Sequence, residues 1–140
     1  MTRVSVSVKR RETNFNKVTE AYRKKAIRLI GSAGNMVRNT AVTSIQQGSK
    51  DGRVYQKYIP RRTHQASADG QPPATDTGYL VQNINLKTDI DKLGASVESN
   101  ADYSAFLEFG TRKMAARPFM QPALEENRPK IRRKLSELKL

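Results

Sequence analysis

The chain has no cysteine, no tryptophan and a single histidine, His64, among its 140 residues. Without cysteine there is no disulfide, no thiol nucleophile and no cysteine-ligated zinc or iron–sulfur site. A transition-metal site would have to rest on carboxylates, and a serine–histidine triad would depend on one imidazole. Because His64 follows Arg61 and Arg62 in a basic stretch, a contact residue is a better interpretation than a catalyst or ligand. We therefore expect no cofactor and no bound metal.

Long apolar runs are also missing. No stretch of about 18 apolar residues occurs, and the N-terminal stretch is alternating and basic where a secretory signal would be apolar. The phosphate-binding patterns GxxxxGK[ST] and GxGxxG are absent. The 13 acidic residues form no pair in an apolar setting that would separate two pKa values for acid–base catalysis. We expect neither a membrane segment nor an enzyme.

Acidic residues are scarce and unevenly distributed. The chain has 26 lysines and arginines against 13 acids, a net charge of +13. Residues 1–65 carry 15 cations and 3 acids, residues 66–110 carry 2 and 7, and residues 111–140 carry 9 and 3. This order would let an acidic face of one copy meet a basic face of the next, a head-to-tail contact that can close into a ring. The alternative is that the three segments mix on the folded surface.

The length indicates one domain over residues 1–140. Valines that alternate with polar residues predict a strand, or alternatively a mobile arm, over residues 1–10. From about residue 13 to 47 apolar residues recur every three or four positions, which predicts one long amphipathic helix with a basic opposite face. Gly31 and Gly34 lie inside it and indicate a kink or a close backbone crossing.

The second half combines a long loop, a hairpin and further helices. Residues 49–78 hold three prolines and are predicted as an extended loop, which in a compact domain indicates a functional or partner-bound segment. Strands are predicted over 85–90 and 95–99, then a short helix from residue 101 that stops at Gly110. A C-terminal helix over 118–140 should bend or split at Pro129. Together these elements predict an α+β fold in which the long N-terminal helix and the C-terminal helices pack on a small antiparallel sheet.

Cations surround two tyrosines within the predicted loop, at Arg53, Tyr55, Lys57, Tyr58, Arg61 and Arg62. Tyrosine can stack on bases while arginine and lysine hold phosphate. No helix-turn-helix, zinc-finger or RNP-type motif accompanies them, so any DNA binding would be independent of sequence. The simpler interpretation has the tyrosines packed and the cations solvated or facing a neighbouring subunit. These residues are therefore candidates for contact with a neighbouring ring or with DNA.

The most specific pattern is in the last third of the chain. YSAFLEFGT over residues 103–111 fits Y-[AS]-x-[FY]-x-E-F-G-T, and ARPFMQPA over residues 116–123 fits A-R-P-F-x-x-P-A. GQPPA at 70–74 and TGYL at 77–80 form a second matching block. In these motifs the chain resembles the tail-completion or neck proteins of long-tailed bacteriophages, over roughly residues 10–135.

The resemblance implies a structural virion protein without catalysis, present in the host cytoplasm during assembly. It implies a homo-oligomeric ring, a hexamer by the symmetry of phage tails, that joins head and tail between the head-side connector or stopper and the tail tube. A tail terminator ring capping the tail tube is the alternative within this class. The implied partners are further copies of the chain, the connector, the terminator or tail tube, and nonspecific contact with packaged DNA. A nonspecific nucleic-acid-binding protein is the alternative of another class.

The matching stretch supplies the candidate subunit or ring interface. It comprises Tyr103, Phe106, Glu108, Phe109, Gly110, Thr111, Arg117, Pro118 and Phe119. The spacing predicts that Glu108 pairs with Arg117, while Gly110 and Pro118 set the angle between two helices. The three phenylalanines would be anchors against the core or the next subunit. For Phe106 and Phe119 the core is the favoured position.

Overall fold

The computed structural model describes residues 2–7, 20–58 and 61–138. The end of the predicted N-terminal arm at residues 8–10, the predicted helix start at 13–19 and the last two residues of the predicted C-terminal helix lie outside these ranges. The elements are β1 (Thr2–Ser7), α1 (Glu20–Gln47), β2 (Val54–Tyr58), β3 (Arg61–Gln65), α2 (Tyr79–Gln82), β4 (Ile84–Asp89), β5 (Gly94–Ser99), α3 (Ser104–Phe109) and α4 (Met120–Leu135). The α+β expectation is confirmed.

Three antiparallel strands in the order β1-β5-β4 form the main sheet. Val97 of β5 lies opposite Val4 of β1 on one side and Leu86 of β4 on the other. Alternation of side chains turns these apolar residues to one face, where α1 and α4 cover them. The opposite face is polar, and Glu98 lies there between Arg3 (3.1 Å) and Lys87 (2.8 Å). Residues 2–7 are thus a strand of the sheet.

Helix α1 crosses the sheet through a face of small and branched side chains. Ala33, Val37, Ala41 and Ile45 are fully buried along it. A Cβ atom at Gly34 would lie 2.6 Å from Leu86 Cδ1 and 3.2 Å from Ala95 Cβ. The glycine therefore marks a close crossing of helix and sheet, and α1 continues through it without interruption.

The segment 49–78 differs from its prediction. An extended loop is expected there, but Val54–Tyr58 and Arg61–Gln65 pair as antiparallel strands, which we call the β2-β3 hairpin, with Tyr55 opposite His64 and Lys57 opposite Arg62. The strands are polar on both faces, so the apolar alternation that identifies most strands is missing. Residues 49–53 and 66–78 of the segment are without regular structure. Of the bend or split expected at Pro129, the split does not occur, because α4 runs through that residue as one helix.

Candidate functional site

Helix α3 is inverted relative to an ordinary amphipathic helix. Its buried residues are Ser104 and Glu108, while Phe106 is 57% and Phe109 is 77% exposed. Ser104 turns inward because its hydroxyl shares a hydrogen bond of 2.5 Å with the buried Ser99 of β5. The expectation that Phe106 belongs to the core is therefore wrong, whereas Phe119 is confirmed there at 1% exposure.

Glu108 turns inward because it caps helix α4. Its Oε2 accepts the backbone N–H groups of Phe119 (2.9 Å) and Met120 (3.0 Å), and its Oε1 accepts that of Gln121 (2.8 Å). The first turn of a helix has free N–H groups and a positive dipole end, and a carboxylate satisfies both. The expected Glu108–Arg117 ion pair is not formed. Distance along the sequence suggested the pair, but the three N–H groups occupy the carboxylate.

A tight connector joins α3 to α4. Gly110 has φ +75°, and a Cβ there would lie 2.9 Å from both Ala116 N and Met114 O. Thr111 closes the following turn by donating its N–H to Met114 O at 2.8 Å, and Arg117 N donates to Leu107 O at 2.6 Å. Gly110 therefore makes a turn between the two helices that a residue with a side chain fits poorly. Pro118 is half-buried and directly precedes the capped turn.

Four exposed aromatic residues lie on or next to α3, and we call them the aromatic strip: Tyr79, Tyr103, Phe106 and Phe109. The rings of Tyr79 and Tyr103 lie 6.2 Å apart, tilted by 38°. Tyr103, Phe106 and Phe109 follow at intervals of three residues, which places neighbours on the same side of the helix. Burial, with a smaller contribution from Tyr79, raises the pKa of Tyr103. All four rings are at least 41% exposed.

One face of the β2-β3 hairpin is held by Asp76. The Asp76 carboxylate accepts hydrogen bonds from Arg62 at 2.7 and 3.0 Å, and Lys57 Nζ and His64 Nδ1 lie 3.7 and 3.9 Å away. The Arg62 hydrogen bond is the main reason why the pKa of Asp76 is lowered. Two candidate phosphate-binding cations, Lys57 and Arg62, are thereby engaged within the chain.

The other face of the hairpin is open. Tyr58 is 74% and Val54 is 53% exposed, and Arg61, opposite Tyr58, is also exposed. On the held face, Arg53 stacks its guanidinium over the Tyr55 ring, 5.5 Å from the centroid. A two-stranded hairpin is marginally stable by itself. The open face is thus a second candidate contact surface, separate from the aromatic strip.

Neither a metal site nor a membrane segment is found in the described parts of the chain. Over residues 2–7, 20–58 and 61–138 no three His, Asp or Glu side chains come together as metal ligands. Within the same ranges, no helix combines the length and the apolar character needed to cross a bilayer.

Comparison with known proteins identifies the family. The model of the family described as "Bacteriophage HK97-gp10, putative tail-component" matches residues 9–110. The chain belongs to this family. A phage tail component is a structural part of the virion, and such components are not a class of enzymes. The matched range covers the hairpin and the aromatic strip and ends at Gly110. No curated protein and no solved structure matches the chain.

Proposed function

We propose that this tail component is a neck protein that completes the tail and joins it to the head. In this role it forms a homo-oligomeric ring between the head-side connector or stopper and the tail tube. The observation that carries the proposal is the inversion of α3, which buries a serine and a glutamate and presents two phenylalanines to solvent. A tail terminator ring on the tail tube is the alternative, and the position of the ring in the virion distinguishes the two.

The aromatic strip has the properties of a protein-binding surface. Helix α3, which carries Phe106 and Phe109, is only six residues long. The Glu108 cap and the Gly110 turn fix the orientation of this helix. A fold that fixes polar side chains inward and large aromatics outward supports a partner surface, because exposed aromatic clusters are where interfaces gain most of their binding energy.

The two candidate surfaces suit a ring. All four residues of the aromatic strip lie in the acidic segment 66–110, whereas the hairpin lies in the basic segment 1–65. If the hairpin of one copy meets the strip of the next, the contact joins unlike surfaces and closes into a ring when the rotation permits. Opposite charges then orient the encounter. The number of six copies follows from the tail symmetry implied by the resemblance.

DNA binding through the hairpin is the weaker candidate. Asp76 engages Arg62 and Lys57, which leaves Arg53 and Arg61 as the candidate cations not held by it. Fewer free cations mean fewer phosphate contacts and a shallower dependence of affinity on salt. The hairpin therefore favours a protein neighbour, with packaged DNA as an incidental contact.

A paired substitution tests the ring. Phe106→Ser with Phe109→Ser should convert the recombinant chain from a ring to a monomer in native mass spectrometry, without loss of its folded circular dichroism spectrum. The matched control is Ile90→Ser, because Ile90 is also exposed, at 55%, but lies at the β4–β5 turn. In phage complementation the double variant should yield unjoined heads and tails. A ring that persists in the double variant, or that the control also disrupts, would refute this assignment of the interface.

A further inference from the structure

Helices α1 and α4 lie side by side and run in opposite directions. Asn127 Nδ2, in the middle of α4, donates to Thr40 Oγ1, in the second half of α1, at 2.8 Å. Lys25 Nζ, near the start of α1, donates to the backbone oxygen of Glu137, just after α4, at 3.2 Å. The start of α1 therefore lies beside the end of α4.

These neighbouring ends are strongly basic. Residues 20–28 and 128–137 hold nine cations against two acids. Two of the nine, Arg23 and Arg128, are in ion pairs with acids of the chain. The other seven have no ion pair within the described parts of the chain, and all of them except the half-buried Lys134 are exposed. We call these seven residues the basic end: Lys24, Lys25, Arg28, Lys130, Arg132, Arg133 and Lys134.

Neither the helix dipole nor the acids in the same stretches balance the basic end. The C-terminal end of a helix carries a negative charge of about half an elementary charge, which is small beside several cations. The two acids, Glu20 and Glu137, also leave a large excess of positive charge. Like charges held close together repel one another and attract an anion. The basic end is therefore a surface that an anionic partner would stabilise.

A second copy of the chain offers no cluster of free acids to match this surface. Five acids already pair with cations of the same chain, and Glu108 caps α4. The five are Asp76, Asp89, Asp91, Glu98 and Glu125. The remaining described acids outside residues 20–28 and 128–137 are spread over the loops beside the hairpin, the approach to α3 and α4: Asp51, Asp69, Asp102 and Glu126. We therefore expect a different molecule of high negative charge.

We propose that the basic end binds the phosphate backbone of double-stranded nucleic acid. Lysine and arginine hold phosphates without reading bases, so this binding is independent of sequence. Interfaces with duplexes are rich in cations, whereas protein interfaces are poor in lysine and are built on aromatic anchors. None of the large apolar side chains described as exposed lies on α1 or α4. The same lack of aromatic residues disfavours a single strand, whose bases stack on aromatic side chains.

This role goes beyond the proposed ring and does not depend on it. Helix α4 lies beyond residue 110, where the match to the tail-component family ends. The α4 part of the basic end is thus a feature of this chain outside the matched range. The hairpin is not required either, because Asp76 engages its Lys57 and Arg62.

The test is the fluorescence anisotropy of a short labelled DNA duplex of mixed sequence, titrated with the full chain at salt concentrations from about 0.05 to 0.3 M. The test variant is Arg28→Gln with Arg133→Gln, which removes one exposed cation from each helix. The matched control is Arg112→Gln with Lys113→Gln, which removes the same charge from two exposed residues of the α3–α4 connector. Circular dichroism verifies that both variants are folded.

The test variant should bind the duplex at least about tenfold more weakly than the parent chain at about 0.1 M salt. Its plot of log affinity against log salt concentration should be shallower by about two, because two phosphate contacts are lost. The control variant should bind like the parent chain. A variant of the hairpin, Arg53→Gln with Arg61→Gln, should also bind like the parent chain.

Absence of duplex binding would overturn the proposal. Equal weakening in the test and control variants would do so as well, because only the total charge would then matter. A larger loss in the hairpin variant would assign the contact to the hairpin. If poly-L-glutamate competes as well as unlabelled duplex at equal charge, the surface would suit an acidic protein and not a nucleic acid. The titration uses the isolated chain, so its failure and a failure to form the ring are observed separately.

Discussion

The carboxylate of Glu108 accepts the backbone N–H of Phe119 at 2.9 Å and thereby fixes the start of α4 to the C-terminal end of α3. Phe119 is buried in the core, while Phe109, one residue after Glu108, is exposed. The same carboxylate therefore has two effects. It caps the first turn of α4, and because Glu108 points inward to do so, Phe106 and Phe109 of α3 face solvent.

Removing the cap should destabilise the whole fold. Glu108→Ala leaves three N–H groups at the start of α4 without their acceptor, two of them on buried residues, and should lower the free energy of unfolding by about 2–4 kcal/mol. Urea denaturation measures the change. Glu125→Ala is the matched control, since that exposed glutamate pairs with Gln121 and Arg128 of its own helix; it should cost at most about 1 kcal/mol. Equal losses would contradict the capping role.

Replacing Gly110 in the α3–α4 connector should destabilise the fold for two separate reasons. Gly110→Ala places a side chain at φ +75° and 2.9 Å from two backbone atoms, so it should cost about 2–4 kcal/mol. Gly70 has a similar φ of +79° but nothing within 4 Å of its Cβ position. Gly70→Ala should therefore cost about 1 kcal/mol, from backbone strain alone. Thermal unfolding of both variants measures the difference. Equal melting temperatures would refute the steric contribution at Gly110.

Periodicity predicted the elements that bury an apolar face. Helix α1 and strands β4 and β5 lie close to their predicted positions, since each contributes branched or small apolar residues to the core at the spacing of its element. The β2-β3 hairpin was missed because it buries no apolar face. An ion pair between Asp76 and Arg62 stabilises it. These residues are 14 positions apart, and no local pattern in the sequence predicts that they pair.

The motifs indicate residues 103–119 as a candidate interface, but they do not reveal what each side chain does. The spacing predicts an ion pair between Glu108 and Arg117, whereas the partners of Glu108 in the structure are backbone N–H groups, which a sequence does not display. Phe106 was placed in the core because aromatic residues usually are buried. The available signal was Ser104 with Glu108, a polar pair four residues apart, which indicates a helix whose inward face is polar.

The two helical glycines of α1 should respond oppositely to alanine. A Cβ at Gly31 would be 3.9 Å from Thr88, an ordinary contact. Gly31→Ala should therefore stabilise the protein by about 0.5–1 kcal/mol through helix propensity. At Gly34 the same change meets Leu86 and Ala95 at less than 3.4 Å, so the helix must move away from the sheet. We expect Gly34→Ala to be at least about 1 kcal/mol less stable than Gly31→Ala in urea denaturation. Equal stability would refute the close crossing.

Attachment of the hairpin should weaken in acid. Because the folded pKa of Asp76 lies below its ordinary value of 3.8, the stabilisation is complete above that value and is lost as the pH falls through the folded pKa. Amide hydrogen exchange of β2 and β3, corrected for intrinsic rates, should show protection falling below about pH 4. Asp76→Asn should give low protection at every pH, whereas Asp69→Asn, a change at an exposed loop residue, should behave like the parent chain. Unchanged protection in Asp76→Asn would contradict the attachment.

The central claim is that this tail component forms the ring that joins head and tail. Cryo-electron microscopy of intact particles of the phage that encodes the chain is the direct test. We expect density for the α1–α4 fold as a closed ring between connector and tail tube, with Phe106 and Phe109 at a subunit contact. Absence of the chain from the virion, or density elsewhere with both phenylalanines facing solvent, would contradict it.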